Sequence, residues 1–422
     1  MNNIFKKTVI FMLLILLKPE NTYSLSINEI IKITNENSLI IQADFEYLKK
    51  FQNDIALAKK NNDPSITLSG FVGAKYQETD TSESSFNPRN INLTVSKNIF
   101  DGYKTKYSII QANDLSLQAE YLFDVVRQNI YLESINSYLD LIHLRQSYNL
   151  TEQALELSKN NLDFKLQQYE SGDISDIDLE KARLEYSKYQ FTLKKIEISI
   201  SDQENLILDY MNSIPNNNEY PNLMEGNINL SPDSLIKYAL NNNSSIKSSQ
   251  TYLKILEQSK MIERSANLPK IDLEAGFNRN WDATDSAGKA DEYSIIGSIS
   301  IPLYESEEVK IKETNIDLDI IRNNKILKNE INNLKKEITT LVNKIELIKA
   351  EYQIENNQKA IIEKDIEIKK ESFNVGSSSM LDIYQSQIEY YEHLISMAEI
   401  MNAEQKAHYL LLNKLGKLIM HD

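Results

Sequence analysis

Two short stretches carry the side chains best placed to do chemistry. "YESGDISDIDLEKARLEYSK", Tyr169 to Lys188, gathers Glu170, Asp173, Asp176, Asp178 and Glu180, and "FNVGSSSMLDIYQSQIEYYE", Phe373 to Glu392, carries Asp382. Crowded carboxylates can share protons, attract cations, or repel one another across a narrow space. Bond-making chemistry is not supported by their company. The chain has four histidines and no cysteine. It has no glycine-rich phosphate loop, no nucleophile elbow and no clustered metal-ligand spacing. No cofactor and no metal site are expected, and the chain does not read as an enzyme. A net charge of −15 also argues against nucleic acid, which needs a basic face. The chemistry left to these residues is electrostatic.

The two stretches align without a gap. Gly172 maps to Gly376, Asp178 to Asp382, Glu185 to Glu389 and Tyr186 to Tyr390, at an offset of 376 − 172 = 204. The repeat extends through "LSINEIIKITNENSLIIQ" and "LSPDSLIKYALNNNSSIK", "DPSITLSGF" and "LPKIDLEAGF", and "SKNIFDG" and "SIPLYES". One unit of about 205 residues is written twice, far beyond the period of a solenoid. The expected division is a signal peptide at 1–24, a first repeat at 25–229 and a second at 230–422. The signal reading rests on Lys6 and Lys7, an apolar core from Val9 to Leu17, and small residues near Ser24. Its removal takes the net charge from −15 to −15 − 2 = −17.

Each repeat must position its glycine turn with long elements. Helix is expected at about 26–62, 103–170 and 175–214, and again at about 232–267, 305–374 and 379–415. Between Tyr103 and Ser171, and between Glu305 and Val375, there is neither glycine nor proline. A helix of that span is roughly 100 Å long. Leu132, Ile135, Leu139 and Ile142, and Ile331, Leu334, Ile338, Leu341, Ile345 and Ile348, keep coiled-coil spacing. Two shorter helices stacked end to end would match one long helix, which suggests a cylinder wall.

Two strand-like segments per repeat alternate cleanly. Ile66 and Leu68, Leu93 and Val95, Leu273 and Phe277, and Ile295 and Ile299 fall on one face, with Ser, Thr, Asn, Asp and Glu on the other. Ten-residue segments of this kind, in an exported chain without cysteine, read as transmembrane β-strands that face lipid with their apolar side. Four strands cannot close a barrel, so the chain must oligomerise. The competing reading is a periplasmic coiled-coil adaptor or structural protein that does not span the membrane.

The duplicated order of helix, two strands, long helix, glycine turn and helix, with G-x₅-D at the turn, resembles the TolC-like outer-membrane efflux proteins from about Leu25 to Gly416. The resemblance implies a mainly α protein with a membrane β-barrel. It would be a homotrimer with a long helical tunnel in the periplasm and a shared twelve-stranded barrel in the outer membrane. An inner-membrane transporter and a periplasmic adaptor (membrane fusion) protein would be its partners. Cargo would be drugs, ions or, in type I secretion, proteins. The tips at Gly172, Asp173, Val375, Gly376 and Ser377 would dock the adaptor. The periplasmic gate would map to Asp178, Asp382, Phe373, Ser378 and Gln385. Three of these depart from the family pattern: Phe373 replaces a tyrosine, Ser378 an arginine and Gln385 an acid. Acids near a helix start also favour its dipole, which is an equal reading of Asp173 and Asp176.

Overall fold

The computed structural model describes residues 25–216, 219–221, 231–282, 288–303 and 307–418. The expected signal peptide at 1–24 lies outside the described residues. The first repeat contains α1 (Ile27–Asn37), α2 (Leu39–Lys60), β1 (Ser65–Val72), β2 (Lys75–Thr79), β3 (Ser82–Phe86), β4 (Arg89–Asp101), α3 (Lys104–Glu170) and α4 (Asp176–Met211). The second contains α5 (Pro232–Asn242), α6 (Ser244–Arg264), a 3₁₀ turn (Ser265–Asn267), β5 (Lys270–Trp281), β6 (Lys289–Ser300), α7 (Glu308–Asn374) and α8 (Met380–Leu415). The chain is mainly helical, as its spacing predicts.

Where sequence suggests one helix at 26–62 and one at 232–267, the structure has two in each case. Both breaks fall at the same repeat position. Ser38 (φ −67°, ψ 116°) and Asn243 (φ −65°, ψ 119°) are extended, and Asn243 accepts from the Ile246 amide at 3.2 Å. Short polar side chains of this kind compete with the helix ladder and restart it as caps. A further element is the β2–β3 hairpin, which pairs Lys75–Thr79 with Ser82–Phe86 between β1 and β4.

Two compact units cut across the two repeats. One takes Arg127–Ile236 and Lys336–Asp422 with the chain up to Leu39; the other takes Ile40–Val126 and Lys237–Lys335. In the first, hydrogen bonds and ion pairs join α3 to both α4 and α8, and α8 to α7 and, at Tyr189–Glu392, to α4. Arg145 and Ser137 of α3 meet Glu204 and Gln203 of α4 at 2.8 and 2.9 Å. Asp140 of α3 holds Lys406 of α8 at 2.6 Å and Asn402 at 2.8 Å. His393 and Lys414 of α8 meet Glu355 and Glu337 of α7. Ile135, Tyr138, Leu139, Leu141 and Ile142 of α3 are wholly buried there, so Tyr138 serves as a core side chain.

The second unit holds an antiparallel sheet of order β1-β4-β5-β6. Its helices are tied by Ser249–Glu330 (2.7 Å) and Lys260–Asp317 (2.6 Å) between α6 and α7. The sheet is open, with β1 and β6 at its edges. No described helix is long and apolar enough to cross a membrane.

Candidate functional site

The two hairpin tips are built alike. Gly172 and Gly376 have φ of +83° and +76°, the left-handed region that an L side chain adopts only at a cost. The Gly172 and Asp173 amides donate to the Tyr169 and Gln168 carbonyls at 3.0 and 2.8 Å. Those of Gly376 and Ser377 donate to Phe373 and Ser372 at 3.0 and 2.9 Å. Each is a Schellman ending, which satisfies the last carbonyls of the long helix. Gly376→Ala is expected to destabilise the hairpin by about 1–2 kcal/mol, since a Cβ meets nothing there but the backbone stays strained. Amide hydrogen exchange of the α7–α8 turn would record it as faster local opening.

Three residues after each glycine a serine caps the returning helix. Ser175 bonds the Asp178 carboxylate at 2.7 Å and accepts from its amide at 3.3 Å. Ser379 does the same with Asp382 at 2.7 and 3.2 Å, and donates its own amide to that carboxylate at 2.9 Å, which completes a capping box. The motif is therefore more fully written G-x-x-S-x-x-D, and its recurrence has a local reason. Hydrogen bonds from Ser175, aided by Lys181, hold Asp178 below the ordinary carboxylate range. The Ser379 amide and hydroxyl do so for Asp382. Groups lowered in this way support the fold above the ordinary carboxylate pKa. The support fades as pH falls through the lower folded value.

Among the expected gate residues the structure brings Ser378 to Asp382, at 3.1 Å. Phe373, Val375 and Gln385 are exposed, as are Gly172, Asp173, Gly376 and Ser377. Asp173 is held by Ser171 at 2.6 Å. No hydrogen bond or ion pair among the described residues joins Asp178 to Asp382. Nor does any described group of three or more His, Asp or Glu stand ready to hold a metal ion.

The sheet forms a second candidate surface. Directly paired residues share a face, and the register makes rows: Ile66–Val95–Ala275–Ile295 and Leu68–Leu93–Phe277–Tyr293, with Leu273, Ile271 and Ile299 continuing the band. All eight residues expected to face lipid lie on it. Ile66, Leu68, Ile295 and Ile299 are 72, 71, 82 and 69 % exposed in the single chain. A bulge between Asn98 and Phe100 returns Phe100 to the apolar side opposite Ile271. Sequence alternation alone assigns Ile99 to that series. The other face carries Ser65, Thr67, Asn92, Thr94, Asn278, Ser294 and Ser298, with Phe71, Ala290 and Ile296 as apolar exceptions. Its charges are Asp272, Glu274 and Glu292, plus Asp101 opposite Lys270 in the last row.

Arg279 interrupts the apolar parity, a signal present in "FNRNW" but not used in the sequence reading. It forms a bidentate pair with Asp291 at 2.6 and 2.9 Å and lies 5.5 and 5.9 Å from the Phe277 and Trp281 rings. Arg89 pairs with Asp282 at 2.9 Å in the next row. Charge and aromatics gathered at one end of an apolar band suit a membrane–water boundary.

The profile of the outer membrane efflux protein family matches residues 30–208 and 235–416, which is most of both repeats. The chain belongs to the outer membrane efflux protein family. No curated relative matches it. The fold is similar to that of CusC (TM-score 0.80, 13% identity, 94% of this chain and 95% of that one). It is also similar to the CmeC outer membrane channel of Campylobacter jejuni (0.79, 15%, 93% and 85%) and to VceC of Vibrio cholerae (0.76, 15%, 92% and 96%). At such identities the likeness speaks of fold alone. Family membership makes this outer membrane efflux protein a channel rather than an enzyme, and places it in the outer membrane.

Proposed function

We propose that this efflux protein works as a homotrimeric channel-tunnel. Each protomer would give its four strands to a twelve-stranded barrel, and the helices would form the periplasmic tunnel. One observation carries this reading: an open antiparallel sheet of four strands with one mainly apolar face, broken by Lys97 within the band, one mainly polar face and two free edges. Free edges are not tolerated in lipid, because every backbone donor and acceptor there needs a partner. Three copies joined β1 to β6 satisfy them and exceed the practical minimum for closure. From Ile271 to Trp281 the sheet rises about 34 Å along the strand, or about 26 Å at a tilt near 40°, which suits an apolar band about 25 Å tall.

The tips would receive a periplasmic adaptor at Gly172, Asp173, Val375, Gly376 and Ser377, and an inner-membrane transporter would supply the energy. Asp178 and Asp382 would line the entrance, with Phe373, Ser378 and Gln385 nearby. Acids on the polar face of the sheet favour cationic cargo over anionic, whether in efflux or type I secretion. The test of the whole reading is single-channel recording of the detergent-extracted protein in a planar bilayer. Discrete, cation-preferring openings are expected; failure to insert would overturn it.

Capping and gating at Asp382 can be separated. Asp382→Ala removes both cap and bulk and is expected to raise the conductance of the closed tunnel. Asp382→Asn keeps an acceptor for the Ser379 amide but drops the charge, so it should lower cation preference while the hairpin stays folded. If Asn changes neither selectivity nor conductance, Asp382 serves the cap alone.

A further inference from the structure

Between α2 and α3 lies a cavity of about 260 Å³ with mostly apolar walls. The Phe45 and Phe123 rings, 5.9 Å apart, join the two helices beside it. Each helix presents a seam of alternating three- and four-residue steps. On α2 it is Ile41, Asp44, Leu48, Phe51 and Ile55, and on α3 Leu115, Ala119, Leu122 and Val126. Two members are out of character. Ala119 is the smallest side chain of its row, which leaves room. Asp44 is a half-buried carboxylate between the buried Ile41 and Leu48, and it lines that room.

Among the described residues no hydrogen bond or ion pair reaches Asp44. Lys49, on the same helix, is taken by Glu46 at 2.6 Å. The second repeat closes the same place. Asp44 corresponds to Ser249 and Val126 to Glu330, at offsets of 205 and 204, and Ser249 donates to Glu330 at 2.7 Å. In the first repeat valine stands where the acceptor would be, and the carboxylate has changed helix. A charge at a seam position weakens the packing of the pair unless something neutralises it. Packing therefore does not account for Asp44.

We propose that this cavity is a binding site for a small organic cation, an ammonium group on an aromatic or branched aliphatic body. Asp44 neutralises the charge. The rings of Tyr47, Phe51 and Phe123 line the space around it, and aromatic faces attract ammonium groups. The neighbouring rings already draw cations: Lys49 lies 4.6 Å from the centre of Phe45 and Lys50 5.7 Å from that of Tyr47. Leu48 and Leu115 cover the apolar body.

Other ligand classes fit less well. Asp44 repels an anion, and a neutral guest leaves the carboxylate unpaired. Mg²⁺ or Ca²⁺ asks for about six oxygens or more, whereas apolar side chains dominate this lining. The volume lies below the range of about 300–1,000 Å³ common for drug-sized ligands, so the guest is small. All the lining residues belong to one chain and one compact unit. The inference goes beyond the channel reading and does not rest on it.

The probe is benzyltrimethylammonium, which keeps its charge at every pH. Calorimetric titration into the detergent-extracted protein should show saturable binding at one per chain. Asp44→Asn should weaken it about tenfold. Ala119→Leu, a side chain that suits the seam, should fill the cavity and abolish binding. Asp44→Leu should abolish binding yet raise the melting temperature, which a structural role for the carboxylate would not do. No saturable binding, or binding that all three variants retain, would overturn the proposal. So would a Tyr47→Cys thiol shielded from maleimide in the assembled protein without probe, because a second copy would then occupy the space. Bilayer recording is independent of each of these outcomes, so failure here leaves the channel reading standing.

Discussion

Leu93→Arg is expected to abolish membrane insertion, while Thr94→Arg, one residue further on, leaves it intact. Leu93 lies on the central strand β4 in the row Leu68–Leu93–Phe277–Tyr293, in the middle of the apolar band. An arginine near the bilayer midplane costs about 2–4 kcal/mol. In a homotrimer that penalty falls on each of the three copies at the same depth, so a partial defect per chain becomes a large one per channel. Thr94 pairs with Thr67 and Gly276 on the opposite face, where an arginine meets water rather than lipid. The measurement is the outer-membrane fraction of each variant, with bilayer insertion as a second readout. Equal insertion by both variants would overturn the assignment of faces.

Neutralising the polar face should have the second large effect, on selectivity rather than assembly. Asp272, Glu274 and Glu292 are the charges of that face away from the Asp101–Lys270 row, and the remaining bases of the four strands, Arg89, Lys97, Arg279 and Lys289, share the parity of the apolar side. Three copies would present nine carboxylates to a narrow aqueous space. Such a lining sustains a potential of the order of kT or more, and each kT changes the cation-to-anion permeability ratio roughly sevenfold. The triple variant Asp272→Asn, Glu274→Gln, Glu292→Gln is therefore expected to lower that ratio several-fold with conductance still measurable. Reversal potentials in a salt gradient give it directly. An unchanged ratio would place the selectivity elsewhere, with the tips as the next candidate.

The duplication, the bounds of α3, α4, α7 and α8, and the face of every expected lipid-facing residue follow from sequence alone. These features are local and periodic. A helix of 67 residues needs only an absence of breakers and a steady apolar spacing. A strand facing lipid needs only alternation. The breaks at Ser38 and Asn243 leave little trace in the sequence, because one polar residue among many decides them. The β2–β3 hairpin has no apolar face, so it left no pattern. At Arg279 the sequence shows a charge out of parity, but only pairing with Asp291 and stacking near Trp281 give it a place.

The hairpin tips divide most clearly between the two levels. Sequence marks Gly172, Gly376, Asp178 and Asp382 as equivalent, because a repeat keeps what its geometry needs. Tertiary structure decides what that geometry is: a left-handed glycine, a serine cap and a carboxylate turned back on that serine. It also decides which heptads are core. Ile338, Leu341, Ile345 and Ile348 are buried, and Leu347, Ile354, Ile361 and Ile368 on the same helix are not. Periodicity fixes only that a stripe exists; which neighbour covers it depends on helix order, a property of contacts distant in sequence.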